Sequence, residues 1–241
     1  MADRLQDRLC LITGASRGIG RAVAKKFAAE GAHVIALART EGALVELDDE
    51  IREAGGKPAT LIVEDITDSD KVDQIGAALF ERFGRLDVLV SCAGIIGSLT
   101  PVNMIKPKDW DAVLKTNLTA QYRLIRSFDP LLRASSAGRA IFPTSRYATG
   151  FKPYWAAYAV AQAGLETMVR MWAHEVHNVS PLRVNLIDPG PVDTNLRAKA
   201  FPGEDETRHP SPDQVAEAFL DLAVPEFTEY AQTIRFADRN G

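Results

Sequence analysis

Residues 13–20 read Thr13-Gly14-Ala15-Ser16-Arg17-Gly18-Ile19-Gly20, between a short apolar run and an amphipathic one. Glycine at 14 suits a tight turn. Glycine at 18 lets backbone approach an anion, and glycine at 20 lets the following element pack closely on the preceding one. With the apolar run as a strand and the amphipathic run as a helix, free N–H groups at the helix start face the loop and carry partial positive charge. The chemistry of such a loop is the cradling of a dinucleotide pyrophosphate, with Gly14, Ser16, Arg17, Gly18, Ile19 and Gly20 as the binding positions. A second apolar run ends Leu37-Ala38-Arg39-Thr40, without the acid that usually takes a ribose 2′-hydroxyl. Arg39 is placed to meet a 2′-phosphate, and Arg17 offers a second cation. Guanidinium suits phosphate because it binds bidentately and keeps its charge. The expected cofactor is therefore NADP(H), with NAD(H) as the alternative.

These residues need a scaffold, and the pattern of apolar runs supplies one. Short β-branched runs at 8–13, 33–38, 59–64, 86–91, 139–144, 182–187 and 233–236 alternate with helical stretches. That alternation predicts an α/β protein of the Rossmann type: a doubly wound parallel sheet of about seven strands with helices on both faces. The helix of 19–30 ends before Gly31. Thr40 and Asp68 are expected to cap the next two helices, the second ending at Gly84. Long helices are expected over 108–133 and 154–177. Residues 1–241 read as a single dinucleotide-binding and catalytic domain, with the irregular stretch 193–212 as a substrate loop or lid within it.

Composition narrows the class. Of 241 residues, 46% are hydrophobic and 25% charged, which is ordinary globular composition. A net charge of −4 lacks the basic footprint of a nucleic-acid binder. Apolar runs are too short to span a bilayer, and the amino-terminal residues have no signal-peptide layout. Cys10 and Cys92 read as buried free thiols of a reducing compartment. The expectation is a cytoplasmic protein with no nucleic-acid or membrane partner. His174 and His177 lie three apart on a helix without further ligands nearby, so no metal site is expected. The run Gly203-Glu204-Asp205-Glu206 reads as a solvated turn.

With its Thr-Gly-x-x-x-Gly-x-Gly spacing, the chain resembles the classical short-chain dehydrogenase/reductase family over nearly its whole length. The resemblance implies further cofactor positions. Asp65 corresponds to an aspartate that contacts adenine, while the residues themselves equally allow a turn cap beside Thr67. Ser91-Cys92-Ala93-Gly94 stands where the family has Asn-Asn-Ala-Gly, leaving Ala93 and Gly94 for close backbone approach. Pro189, Gly190, Val192 and Thr194 correspond to the segment that holds the nicotinamide amide and phosphate.

Hydride transfer to a carbonyl needs a proton donor beside the developing alkoxide and a hydrogen bond that polarises it. Ser145 and Tyr158, thirteen residues apart, match the family's polarising serine and acid–base tyrosine. Asn117 matches the asparagine that supports a water-mediated relay. The pattern breaks at 162, where the motif Tyr-x-x-x-Lys reads Tyr158-Ala159-Val160-Ala161-Gln162. One turn on, residue 162 shares a helix face with residue 158. Glutamine can still hold the cofactor ribose. It cannot lower the pKa of the tyrosine as a cation does. Lys152 and Arg146 read as surface charges rather than substitutes.

The resemblance thus implies an NADP(H)-dependent oxidoreductase acting on a small-molecule carbonyl or alcohol. Ser145, Tyr158, Asn117 and Gln162 are its catalytic set, and reduction is the favoured direction. The alternative is a catalytically impaired dinucleotide-binding protein acting as a sensor or structural partner. Family assembly through two long helices implies a homodimer or homotetramer. Tyr154, Trp155 and Phe201 are candidates to line an apolar substrate pocket.

Overall fold

A computed structural model describes residues 3–239; positions 1–2 and 240–241 of the expected 1–241 domain lie outside the described residues. Seven parallel strands form one sheet in the order β3-β2-β1-β4-β5-β6-β7. They are β1 (Leu9–Thr13), β2 (His33–Ala38), β3 (Thr60–Val63), β4 (Val88–Ser91), β5 (Arg139–Pro143), β6 (Arg183–Asp188) and β7 (Thr233–Arg235). The connecting helices are α1 (Gly18–Ala29), α2 (Glu41–Glu53), α3 (Ser69–Phe83), α4 (Pro107–Leu114), α5 (Ala120–Ala134), α6 (Ala156–Val176), α7 (Asn195–Ala200) and α8 (Pro212–Ala223). The chain builds outward from β1 to β3, then crosses back to lay β4 on the other side of β1. Such a reversal opens a crevice beyond the carboxyl ends of the two central strands.

Alternating side chains divide the core between the two faces of the sheet. Cys10 and Ile12 of β1 join Val23 and Phe27 of α1 and Phe219 of α8 on one face. Leu9 and Leu11 join Leu124 and Phe128 of α5 and Val169 and Trp172 of α6 on the other. Phe219 is fully buried. Phe219→Ala is expected to cost about 3–5 kcal/mol through lost transfer energy and the cavity left behind. Urea unfolding measures this, and a loss below about 1 kcal/mol would contradict the packing described.

Local signals explain most helix ends. The Asp68 side chain accepts the Lys71 N–H at 3.2 Å, and α3 stops at Gly84, whose φ is 68°. Two expectations fail. Thr40 occupies the N-cap of α2, but its side chain makes no capping hydrogen bond. The helix expected over 108–133 is broken into α4 and α5 by a wide π-type turn, Lys115–Thr119. Asn117 lies in that turn, where its amide clasps Ile95: Nδ2 donates to the Ile95 carbonyl at 2.7 Å and Oδ1 accepts the Ile95 N–H at 2.9 Å. The turn brings a polar side chain out of helical register to hold the loop after β4. The loop 193–212 also carries more structure than expected, namely α7 and a short 3-10 turn, Glu206–Arg208.

Candidate active site

The crevice is a cleft of about 910 Å³ along the carboxyl edge of the sheet. Every position expected to bind cofactor or do chemistry lines it. At one end is the glycine loop. Gly14 has φ 68°, and a Cβ there would stand 2.8 Å from the Ala93 nitrogen. A Cβ on Gly20 would collide with the Gly14 carbonyl oxygen. These glycines therefore permit two close backbone approaches that any side chain would block. Arg17 is the N-cap of α1 without a side-chain cap, and no acid sits in the first turn. That leaves an anion-ready helix start.

Arg39 follows β2, two-thirds exposed, with its guanidinium 3.5 Å from Asp65. Asp65 also accepts the Thr67 N–H at 2.8 Å, so the turn-cap reading of this residue is realised. Its carboxyl is held below the usual carboxylate range: burial pushes it up, and the Thr67 hydrogen bonds and the Arg39 charge more than offset that.

At the seam between β1 and β4, the Thr13 hydroxyl accepts the Ala93 N–H at 3.2 Å and lies 3.3 Å from Ser91 Oγ. The Ser91 hydroxyl donates to Gln121, whose amide donates to the Ala93 carbonyl at 3.3 Å. Sequence reasoning missed Gln121. Its one available signal is its position a turn beyond Asn117 on a face turned to the cleft. Cys92 packs against Gly20, and burial pushes its thiol up to about 12.

The reactive end is built by β5, α6 and the segment between them. Ser145 caps the 3-10 turn Arg146–Ala148, its Oγ accepting the Tyr147 N–H at 3.3 Å. The oxygen is thereby oriented while its O–H is left to donate. Ser145 and Gln162 both lie against the Tyr158 hydroxyl. Burial pushes that phenol up to about 12, the two side chains oppose the shift, and Asp188 adds to it. Gln162 is 7% exposed, and its Oε1 has no hydrogen-bond partner. An unpaired buried acceptor is costly. Here it lines the cleft, where a ribose hydroxyl would satisfy it. The glycine cradle and this orphaned acceptor fit a dinucleotide. Pro189 and Gly190 follow β6, and Val192 is buried in the core cluster that includes Ile187. Thr194 caps α7 by accepting the Arg197 N–H at 3.2 Å.

Three further expectations are corrected. Lys152 is not a solvated surface charge. Its ammonium sits 4.0 Å from the Phe201 ring centroid, 5.1 Å from Trp155 and 5.2 Å from Tyr147. Glu204 does not stand in a free turn but makes two bonds to Arg197, each 2.6 Å. Tyr154 points away from the cleft, 57% exposed, while Trp155 and Phe201 do line it. Tyr154 has φ 74°, so the left-handed backbone at 154 swings the next residue inward. Among the described residues no cluster of three or more His, Cys, Asp or Glu could hold a metal ion. No described helix is long and apolar enough to cross a membrane.

A family model for short chain dehydrogenases matches residues 8–205. The chain is 35% identical to the uncharacterized oxidoreductase YciK of Escherichia coli K12, covering 90% of this chain and 86% of that protein. It is 34% identical to the 3-oxoacyl-[acyl-carrier-protein] reductase FabG of Thermotoga maritima, covering 92% and 93%. The crystal structure of a short chain dehydrogenase from Shigella flexneri 2a, in complex with NADP, superimposes with a TM-score of 0.93 at 32% identity, covering 98% of this chain and 99% of that one. The chain belongs to the short-chain dehydrogenase/reductase family, a family of oxidoreductases.

Proposed function

We propose that this protein is an NADP(H)-dependent reductase that carries hydride between the nicotinamide and a small carbonyl or alcohol substrate, working mainly toward the alcohol. The observation that carries this reading is the convergence of Ser145, Tyr158 and an unsatisfied Gln162 in the same cleft as the glycine loop. The bound cofactor supplies the hydride. Gly14, Ser16, Gly18, Ile19 and Gly20 hold its pyrophosphate, and Arg17 and Arg39 hold the 2′-phosphate. Asp65 borders the adenine, and Ala93 and Gly94 give room at the ribose. Gln162 accepts from the nicotinamide ribose. Pro189, Gly190, Val192 and Thr194 hold the nicotinamide end. Ser145 polarises the carbonyl oxygen, Tyr158 gives it a proton, and Asn117 fixes the loop beside them.

Residues 1–241 act as one domain in this reading. The stretch 193–212 closes over substrate, and copies pair as a dimer or tetramer through α5 and α6. A phenol held near 12 is an acid rather than a base at neutral pH, which favours reduction. A second reading, a binding protein with impaired chemistry, is supported by one observation: the side chain facing Tyr158 from position 162 is neutral, and Asp188 pushes the phenol up rather than down.

Turnover of a panel of ketones and aldehydes with NADPH tests the first reading against the second. Binding without turnover in the native protein, with activity gained in Gln162→Lys, would establish the second. Cofactor choice has its own check by titration. Arg39→Gln is expected to weaken NADPH about tenfold, the loss of roughly one charge-assisted contact at an exposed site, and to leave NADH unchanged. Native binding of NADH as tight as NADPH would sink the assignment.

A further inference from the structure

A second phenol shares the reactive end of the cleft. Tyr147 lines it beside Tyr158, and Trp155 stands between them, its ring centroid 4.1 Å from that of Tyr147 and 5.8 Å from that of Tyr158. Two cations act on the Tyr147 phenol: Arg197 from α7, and Lys152 from its own loop, whose ammonium is 5.2 Å from the ring centroid. Both are fixed: the three rings frame Lys152, and Glu204 grips Arg197. Arg146 lies 5.6 Å from the ring centroid on the loop side. Other ionisable groups in this region are Tyr158 from α6, on which Asp188 of β6 acts, Asp193 and Lys199, which line the same cleft, and His209, which touches Glu204 at 3.2 Å. Tyr147 therefore faces positive charge, whereas Tyr158 faces none from position 162.

We propose that Tyr147, in the ring cluster that Lys152 and Arg197 pack against, is a second proton-handling residue that resupplies Tyr158 after each turnover. The inference rests on the reductase reading above. Each reduction consumes one proton. The Tyr158 O–H bond breaks as a new O–H bond forms on the product oxygen, leaving Tyr158 as phenolate. Tyr147 then gives up its proton through water in the cleft, and Tyr158 is neutral again. The Tyr147 phenolate is held by Lys152 and Arg197 until it takes a proton from solvent at the cleft mouth.

The proton affinities run in the required direction. Burial pushes the Tyr147 phenol up, but Arg197, Lys152 and Arg146 outweigh it and hold the group below an ordinary tyrosine. Tyr158 is held well above. Transfer from the first to the second is thus downhill. Tyr147 acts through Tyr158, so it is a positioning and supply residue rather than a group that touches substrate.

The test is the pH profile of kcat for carbonyl reduction in the full-length protein. Tyr147→Phe is expected to lower kcat about tenfold at neutral pH, the modest end of acid–base effects, with KM within about twofold of native. Its alkaline fall moves to higher pH, because the rate no longer depends on keeping Tyr147 protonated. Lys152→Met moves the same limb upward, and Lys152→Arg restores it. Unchanged kcat and profile in Tyr147→Phe overturn the relay. So does a raised KM with the limb in place, which marks a packing role. Absence of turnover by native protein across the carbonyl panel overturns the reductase reading, and the relay with it.

Discussion

Tyr158→Phe is expected to abolish carbonyl reduction, lowering kcat at least about a hundredfold, while NADPH binding stays within about twofold of native. The ring packs edge-on against Trp155, 5.8 Å between centroids, and phenylalanine keeps that contact. Only the hydroxyl is lost, and with it the proton donor that Ser145 and Gln162 surround. Ser145 alone still polarises the carbonyl oxygen, so a small residual rate is expected rather than none. Steady-state turnover and fluorescence titration of NADPH separate the two effects. Retention of more than about a tenth of native kcat would remove Tyr158 from the chemistry.

Gln162→Lys is expected to raise alcohol oxidation at neutral pH by at least about tenfold and to change reduction much less. Oxidation starts from the phenolate. With burial pushing the phenol up to about 12, the phenolate is scarce at pH 7. A cation one helical turn away, close to the hydroxyl, favours the charged form by about 1–3 pKa units. The phenolate population rises by the same factor, ten to a thousand. The sign follows directly: lowering the pKa moves the rising limb of the oxidation profile to lower pH. Reduction starts from neutral tyrosine, which both proteins hold at pH 7. Initial rates of NADP-dependent alcohol oxidation between about pH 6 and 10 measure the shift. An unmoved limb would mean that the charge at 162 is not what sets the tyrosine.

Several parts of this molecule were legible from the order of residues because their causes are local. The glycine loop is one: Gly14 turns with a positive φ, and Gly20 meets the Gly14 carbonyl within a single strand–turn–helix unit. The alternation of strands and helices is another, since each buried run carries its own period. Asp68 and Gly84 end their helix as their side-chain chemistry dictates. The break at Lys115–Thr119 was not legible. No glycine or proline marks it, and what sets the turn is the clasp of Asn117 on Ile95, twenty-two residues earlier in the chain. The position of Lys152 was hidden for a similar reason. Its cage is assembled from Tyr147, Trp155 and Phe201, and Phe201 arrives from a loop beyond β6. Glu204 read as solvated because its partner, Arg197, becomes a neighbour only when the 193–212 stretch folds on itself.

The order of the sheet carries one more consequence. Most positions proposed for the pyrophosphate, 2′-phosphate and adenine follow β1, β2 and β3, whereas those proposed for the nicotinamide end and the reacting groups follow β4, β5 and β6. The two sets meet along a single seam, where Thr13 of β1 faces Ser91 of β4. Grip and reactivity are thus housed in separate halves of one wall. A side chain can be exchanged in the reactive half, as at 162, without touching the glycine cradle, whose contacts with that half are with Cys92, Ala93 and Thr194. A chain of this design can drift by single substitutions between catalyst and receptor, because the phosphate grip and the proton chemistry meet only along that border.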